Sequence, residues 1–197
     1  VSNGILNNLA KPFGDAAIAA LSVVGKYSSF IMCVGLGIGQ GFQPVSSFNY
    51  QAGKYKRVKR GLVFTTFFAF AAVGILALFG IVFSGQIVRI FQKSPDVVSI
   101  GTEAIKYSSA GLIFFPLSVP VNMLYQSIRR PGVSSVLSLM RSGLIFIPVI
   151  FIMSHFFLLR GILLSQPLAD AATGLISIPF ILKFLHTTPD DDCFQSE

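Results

Sequence analysis

Six residues in the 197-residue chain could do chemistry because of where they stand. Asp170 lies near the centre of the apolar stretch GILLSQPLADAATGLISIPFILKFL, just after Ser165, Gln166 and Pro167. A central Asp costs roughly 2.5 to 3.5 kcal/mol to place in a membrane helix. Such a carboxylate faces a bundle interior, where it pairs, takes a proton or binds a cation. The bland alternative is a structural Asp that bonds backbone groups freed around Pro167. Lys26 is a cation inside an apolar run; it either snorkels to an interface or pairs within the bundle, or it lines a polar cavity. Gln40 and Gln43 flank a Gly-rich helix end beside Pro44, and Asn49 and Tyr50 follow. These amides either bond between helices or meet a transported molecule.

Enzyme and metal motifs are missing. The chain has no His-Glu-x-x-His, no Gly-x-Ser-x-Gly and no Cys/His cluster. Carboxylates within the spans do not pair at helical spacing. Cys33 sits in an apolar run and Cys193 in a polar tail, so neither a disulfide framework nor a metal site is expected. His155, alone near the end of a span, is given no role. No cofactor is expected.

The elements that carry these residues are membrane helices. Hydrophobic residues make up 53% of the chain and charged ones 12%, about half the charge of a soluble domain; mean hydropathy is +0.73. Too few polar groups remain to cover a soluble globule, so membrane lipid is the surrounding solvent. The net charge of +7 is a matter of topology rather than of nucleic acid, since no polar base-stacking platform accompanies it. The fold class is all-α: a polytopic helical bundle of five full transmembrane helices plus the end of a sixth.

Residues 1–10 read as the end of a helix, followed by a Lys11-Pro12-Phe13-Gly14 turn with Asp15 as N-cap. Membrane helices are expected over 15–48, 61–83, 97–128, 132–158 and 161–185. Pro116 and Pro120 should kink the third, with the freed carbonyls satisfied by neighbours or cavity water. Gln86 to Lys93 reads as a short interfacial helix, Glu103 and Lys106 as a pair on one face, and Arg160-Gly161 as a tight turn. Residues 187–197 form a polar acidic tail. Without a basic leader or an initiating Met, the chain reads as part of a longer protein.

Charge sets the sides. Lys54, Lys56, Arg57, Lys59 and Arg60 share one side with Arg129, Arg130 and Lys183, and Arg141 is close to it; Lys11, Arg89, Lys93 and Arg160 lie opposite. The bias puts the 53–60 loop and the tail in the cytoplasm.

The stretch GIGQGFQPVSSFNYQAGKYKRVKRG resembles the signature around the eighth helix of MATE (multidrug and toxic compound extrusion) transporters. It follows Gly14-Asp15-Ala16-Ala17, with the Gly39-Gln40-Gly41-Phe42-Gln43-Pro44 helix end, the Asn49-Tyr50-Gln51-Ala52 exit and the basic run after it. The proline-bearing third span leading to Arg129-Arg130 is similar to the family's tenth helix, and Pro167-Leu168-Ala169-Asp170 to its twelfth. The resemblance implies the C-terminal half of a plasma-membrane antiporter of two six-helix lobes. That antiporter would exchange small cationic or amphipathic compounds for H⁺ or Na⁺, and its N-terminal lobe would be the missing partner. Asp170, Lys26, Gln40, Gln43, Asn49 and Tyr50 would then belong to the transport pathway or ion coupling. A lipid-linked oligosaccharide flippase of similar architecture is the alternative transporter, with Lys26 and Arg141 suited to an anionic head group. A truncated membrane fragment or docking subunit is the non-transporting one.

Overall fold

The computed structural model describes residues 12, 14–128 and 131–189, apart from the side chains of 131, 141–142 and 154–160. Helices account for nearly all of it: α1 (Asp15–Gln51), α2 (Tyr55–Val82), α3 (Ser84–Phe91), α4 (Pro95–Leu112), α5 (Phe115–Ser127), α6 (Pro131–Leu139), a π-helical turn (Met140–Leu144) and α7 (Phe146–Thr187). Three stretches among the described residues are long and apolar enough to cross a bilayer: Asp15–Gln51, Tyr55–Val82 and Gly161–Thr187. The α4–α5 pair makes a fourth if taken as one span bent by 46°. The expected 132–158 span includes side chains outside the described set, as do Arg141, His155 and Arg160. Lys11, Arg129, Arg130 and all but the first residues of the tail lie outside it altogether.

Several element ends differ from the sequence reading. Gly14, not Asp15, occupies the N-cap, and Asp15 is the first helical residue, where its charge still complements the helix dipole. α1 runs through Pro44 to Gln51. Pro44 withdraws one N–H from the ladder, but the surrounding turns are held by packing. α2 begins at Tyr55, so Lys56, Arg57, Lys59 and Arg60 are on its first turns and the connecting loop is only a few residues long. The third expected span is two helices rather than one kinked helix. Phe114 N–H bonds the Gly111 carbonyl and Leu117 N–H the Phe114 carbonyl, a tightened break ahead of Pro116.

The expected Arg160-Gly161 turn falls within one helical run of 42 residues. A straight helix of that length would measure about 63 Å, twice a bilayer core of about 30 Å. Phe146 and Ile150, however, share a core with Ala169, and Leu137 packs in one with Phe180 and Ile181. The run therefore folds back between Ile150 and Ala169, and the later part lies antiparallel to the earlier.

Packing fixes the remaining directions. α1 and the α4–α5 pair run parallel, touching at Tyr27–Ser109, Ser28–Ser108, Gln43–Gln126 and Ser46–Ser127, at offsets of 80 to 83 residues. Gly35 and Gly39 let Phe115 and Val119 approach the α1 backbone, which is the use membrane helices make of small residues four apart. α2 is antiparallel to α1, with Val73 against Gly35 and Phe42 against Gly61. The largest core gathers Val23, Tyr27, Ile31, Val73, Ile105, Leu112 and Phe115.

Candidate functional site

Two features could act on a solute, and both are built around the broken span. The first is Asp170, which is 3% exposed. It lies on the same face of α7 as Pro167 and Gly174, one turn from each. Both neighbours touch the break: a Cβ at Gly111 would lie 2.8 Å from the Pro167 carbonyl oxygen, and one at Gly174 would lie 2.5 Å from the Phe114 carbonyl oxygen. Backbone meets backbone on either side of the carboxylate. Asp170 is thus held against the break between α4 and α5, in the interior position that the sequence reading expected.

The second feature is a chain of side-chain hydrogen bonds across three helices. Gln43 Nε2 of α1 donates to Gln126 Oε1 of α5 at 3.4 Å. Gln126 Nε2 donates to Asn122 Oδ1 at 2.9 Å, and Asn122 Nδ2 donates to Ser138 Oγ of α6 at 2.7 Å. Gln126 and Ser138 are exposed, and Gln43 and Asn122 partly so. Gln40, one turn before Gln43, is exposed too. The π-helical turn begins two residues after Ser138, and such widened turns recur at functional sites. An exposed row of amides inside apolar helices cannot be covered by lipid tails without leaving hydrogen-bonding groups unmatched.

The other residues singled out from sequence lie elsewhere. Asn49 Nδ2 bonds the Val45 carbonyl at 2.8 Å within its own helix. The Tyr50 ring meets Tyr55 edge-on at 5.2 Å, and the Asn49 and Tyr50 carbonyls accept from Lys54 and Gly53 N–H. Both residues hold the α1–α2 turn. Lys26 stands about 21 Å along the axis from Gln40, its ammonium over the Phe91 ring at 5.5 Å. Its neighbour Tyr27 reaches Gly80 near the end of α2. Lys26 thus stands beside α3, well along α1 from the amides. Glu103 accepts from Tyr107 Oη at 2.7 Å, while Lys106 is exposed.

The sequence reading gives no role to Asn122, Gln126 or Ser138. Asn122 and Gln126 are four apart in an apolar span, so they share one helix face; that spacing was available in the sequence. Their link to Ser138 was not, because it depends on how α6 crosses α5.

A membrane bundle with a carboxylate buried at a broken span and amides aligned along an outward face has the build of a transporter. The sequence pattern that defines the MatE family matches residues 1–152, and the chain belongs to that family, whose members are transporters and not enzymes. It is a multi-pass membrane protein. It is 24% identical over 176 residues to the multidrug export protein MepA of Staphylococcus aureus (strain MSSA476), covering 88% of this chain and 38% of MepA. It is 22% identical over 180 residues to MepA of Staphylococcus saprophyticus, covering 90% and 39%. Among solved structures it superposes on the Vibrio cholerae MATE transporter VcmN in its bent form with a TM-score of 0.86 at 16% identity, covering 95% of this chain and 43% of VcmN. The fold is shared, and the chain spans about two fifths of the length of these relatives.

Proposed function

We propose that this chain is one lobe of a multidrug efflux antiporter of the plasma membrane, exporting small cationic or amphipathic compounds in exchange for H⁺ or Na⁺. The observation that carries this reading is the exposed amide chain Gln43–Gln126–Asn122–Ser138 within apolar helices. Such a face needs a polar neighbour. A central cavity closed by a second lobe supplies one, in the alternating-access arrangement of two lobes around a midplane site. That MepA relatives are multidrug export proteins supports the substrate class. Asp170 is the carboxylate we assign to coupling, because uptake of H⁺ or Na⁺ there changes the charge held against the α4–α5 break. The Gly53–Arg60 end is assigned to the cytoplasm from the charge bias.

The flippase reading asks for cavity cations; of the two it draws on, Lys26 meets the Phe91 ring at 5.5 Å, about 21 Å along α1 from Gln40, and the Arg141 side chain lies outside the described residues. Efflux of a fluorescent cationic dye from proteoliposomes holding the full-length protein tests the proposal. An imposed H⁺ or Na⁺ gradient should drive export, and Asp170→Asn should abolish the gradient dependence. Coupled efflux unchanged by Asp170→Asn would sink the assignment of that residue, and transport of a lipid-linked sugar instead of the dye would sink the whole reading.

A further inference from the structure

We infer that the lobe carries a binding site for an anionic glycerophospholipid of the leaflet bathing the α1–α2 turn. The site is a groove of about 520 Å³ lined by Lys59, Arg60, Val63, Phe64 and Phe67. Past Phe67 it opens into a second groove of about 320 Å³ that reaches Phe70, Leu117 and Ile181. Val63 and Phe67 belong to both, so the two form one track along the outer side of α2 that meets α5 at Leu117 and α7 at Ile181.

The track has the chemistry of a lipid from end to end. Its mouth is lined by the stems of Lys59 and Arg60, and Lys54, Lys56 and Arg57 come just before them. Its walls beyond the first turn are apolar and aromatic. From Arg60 to Phe70 the helix rises about 15 Å, half of a hydrocarbon core of about 30 Å, so the track spans one leaflet. Basic pockets at the ends of membrane helices select anionic head groups, each base near the surface adding about fivefold in affinity. A phosphate-bearing head group would sit between Lys59 and Arg60, and an acyl chain would lie along Val63, Phe67 and Phe70. A bare phosphate would use only the mouth and leave the aromatic wall idle. The inference rests on α2 and not on the amide face or Asp170, so it stands or falls separately from the transport reading.

The test is lipid titration of the detergent-solubilised full-length protein by native mass spectrometry, with phosphatidylglycerol against phosphatidylcholine. Phosphatidylglycerol should bind at least tenfold more tightly. The Lys59→Gln/Arg60→Gln double variant should lose about 25-fold of that affinity while its phosphatidylcholine binding stays as in the parent. Lys56→Gln/Arg57→Gln, which changes exposed bases outside the groove, should lose less than fivefold. Equal losses in the two double variants would mean diffuse attraction to the basic end and would overturn the site. Displacement of the lipid by inorganic phosphate alone would also overturn it. Should a variant fail to fold, a photoactivatable phosphatidylglycerol on the parent protein decides: crosslinks within residues 59–70 support the site, and crosslinks spread over all outward helices refute it.

Discussion

Two outward faces of this bundle are both exposed and differ in chemistry, one wholly apolar over its middle and the other interrupted by amides. Along α2 the exposed residues are Phe64, Phe67, Phe68, Phe70, Ile75, Leu78, Phe79 and Val82, with two Phe pairs in contact, Phe64–Phe68 and Phe79–Phe83. Along α1, α5 and α6 the outward residues include Cys33, Gln40, Gln126 and Ser138, the last two joined to each other through Asn122 and, by Gln126, to Gln43, with apolar Phe30, Val136 and Leu139 also exposed on these helices. In water the first face would be the anomaly. In a bilayer it is the ordinary one, because apolar side chains lose nothing against lipid tails, and the second face calls for a polar neighbour. Exposure names no solvent by itself; the side chains do.

The comparison breaks most visibly under charge. Phe70→Asp should cost about 3 kcal/mol of insertion, the value for a carboxylate at mid-membrane, and cut the membrane-inserted fraction by about two orders of magnitude. Gln40→Asp on the other face should insert within about fivefold of the parent. Quantitative blots of membrane fractions measure both; equal losses would mean that lipid covers both faces. A smaller effect is expected at Asn122→Leu, which removes two bonds of the amide chain. The bond to Ser138 crosses between helices and is worth about 0.6 kcal/mol, and the bond from Gln126 within α5 adds about 0.2 to 0.5 kcal/mol, so stability should fall by roughly 1 kcal/mol. Dye efflux should fall more steeply than that loss explains, because the face is open to the solute. Unfolding and transport measured on one preparation separate the two. Smaller again is Ser28→Ala, which deletes the buried Ser28–Ser108 bond of 2.6 Å far from the amide chain. It should cost about 0.6 kcal/mol and leave efflux unchanged.

Much of this architecture is legible in the residues. Low charge, long apolar runs and basic turns announce a membrane bundle, and the small residues of α1 announce a close helix neighbour, found in α4–α5 at Gly35 and Gly39. The cost of Asp170 announces an interior position. Helix ends were harder. Asn49, Tyr50 and the first bases of α2 looked like loop from their polarity, yet an interfacial helix can be polar all round when its next turns are anchored in the core, as Val58 and Leu62 anchor α2. The break after Leu112 followed from Pro116 only in outline, because a proline may kink a helix or divide it and tertiary packing decides. The amide chain required three helices to be placed at once, which no local pattern encodes. Lys26 was open between an interface and a cavity for a similar reason: an apolar run does not encode that α3 packs so as to bring the Phe91 ring under its ammonium.

The gentlest way to sharpen the contrast between the faces changes no packed residue. Cys33 is an exposed free thiol, two turns before Gln40 on the same face of α1. A thiolate, not a thiol, reacts with maleimides, and a thiolate forms readily in water but not in hydrocarbon, so labelling reports the medium. If water reaches this face, a membrane-impermeant maleimide should label Cys33 in the full-length protein, and a transported cation should slow the reaction. A Phe67→Cys thiol in a Cys33→Ser background, on the face assigned to lipid, should react at least tenfold more slowly. Comparable rates at the two positions would remove the distinction between the faces, whereas labelling of Cys33 without protection by any cation would keep the water-filled cavity and move the solute away from this part of α1.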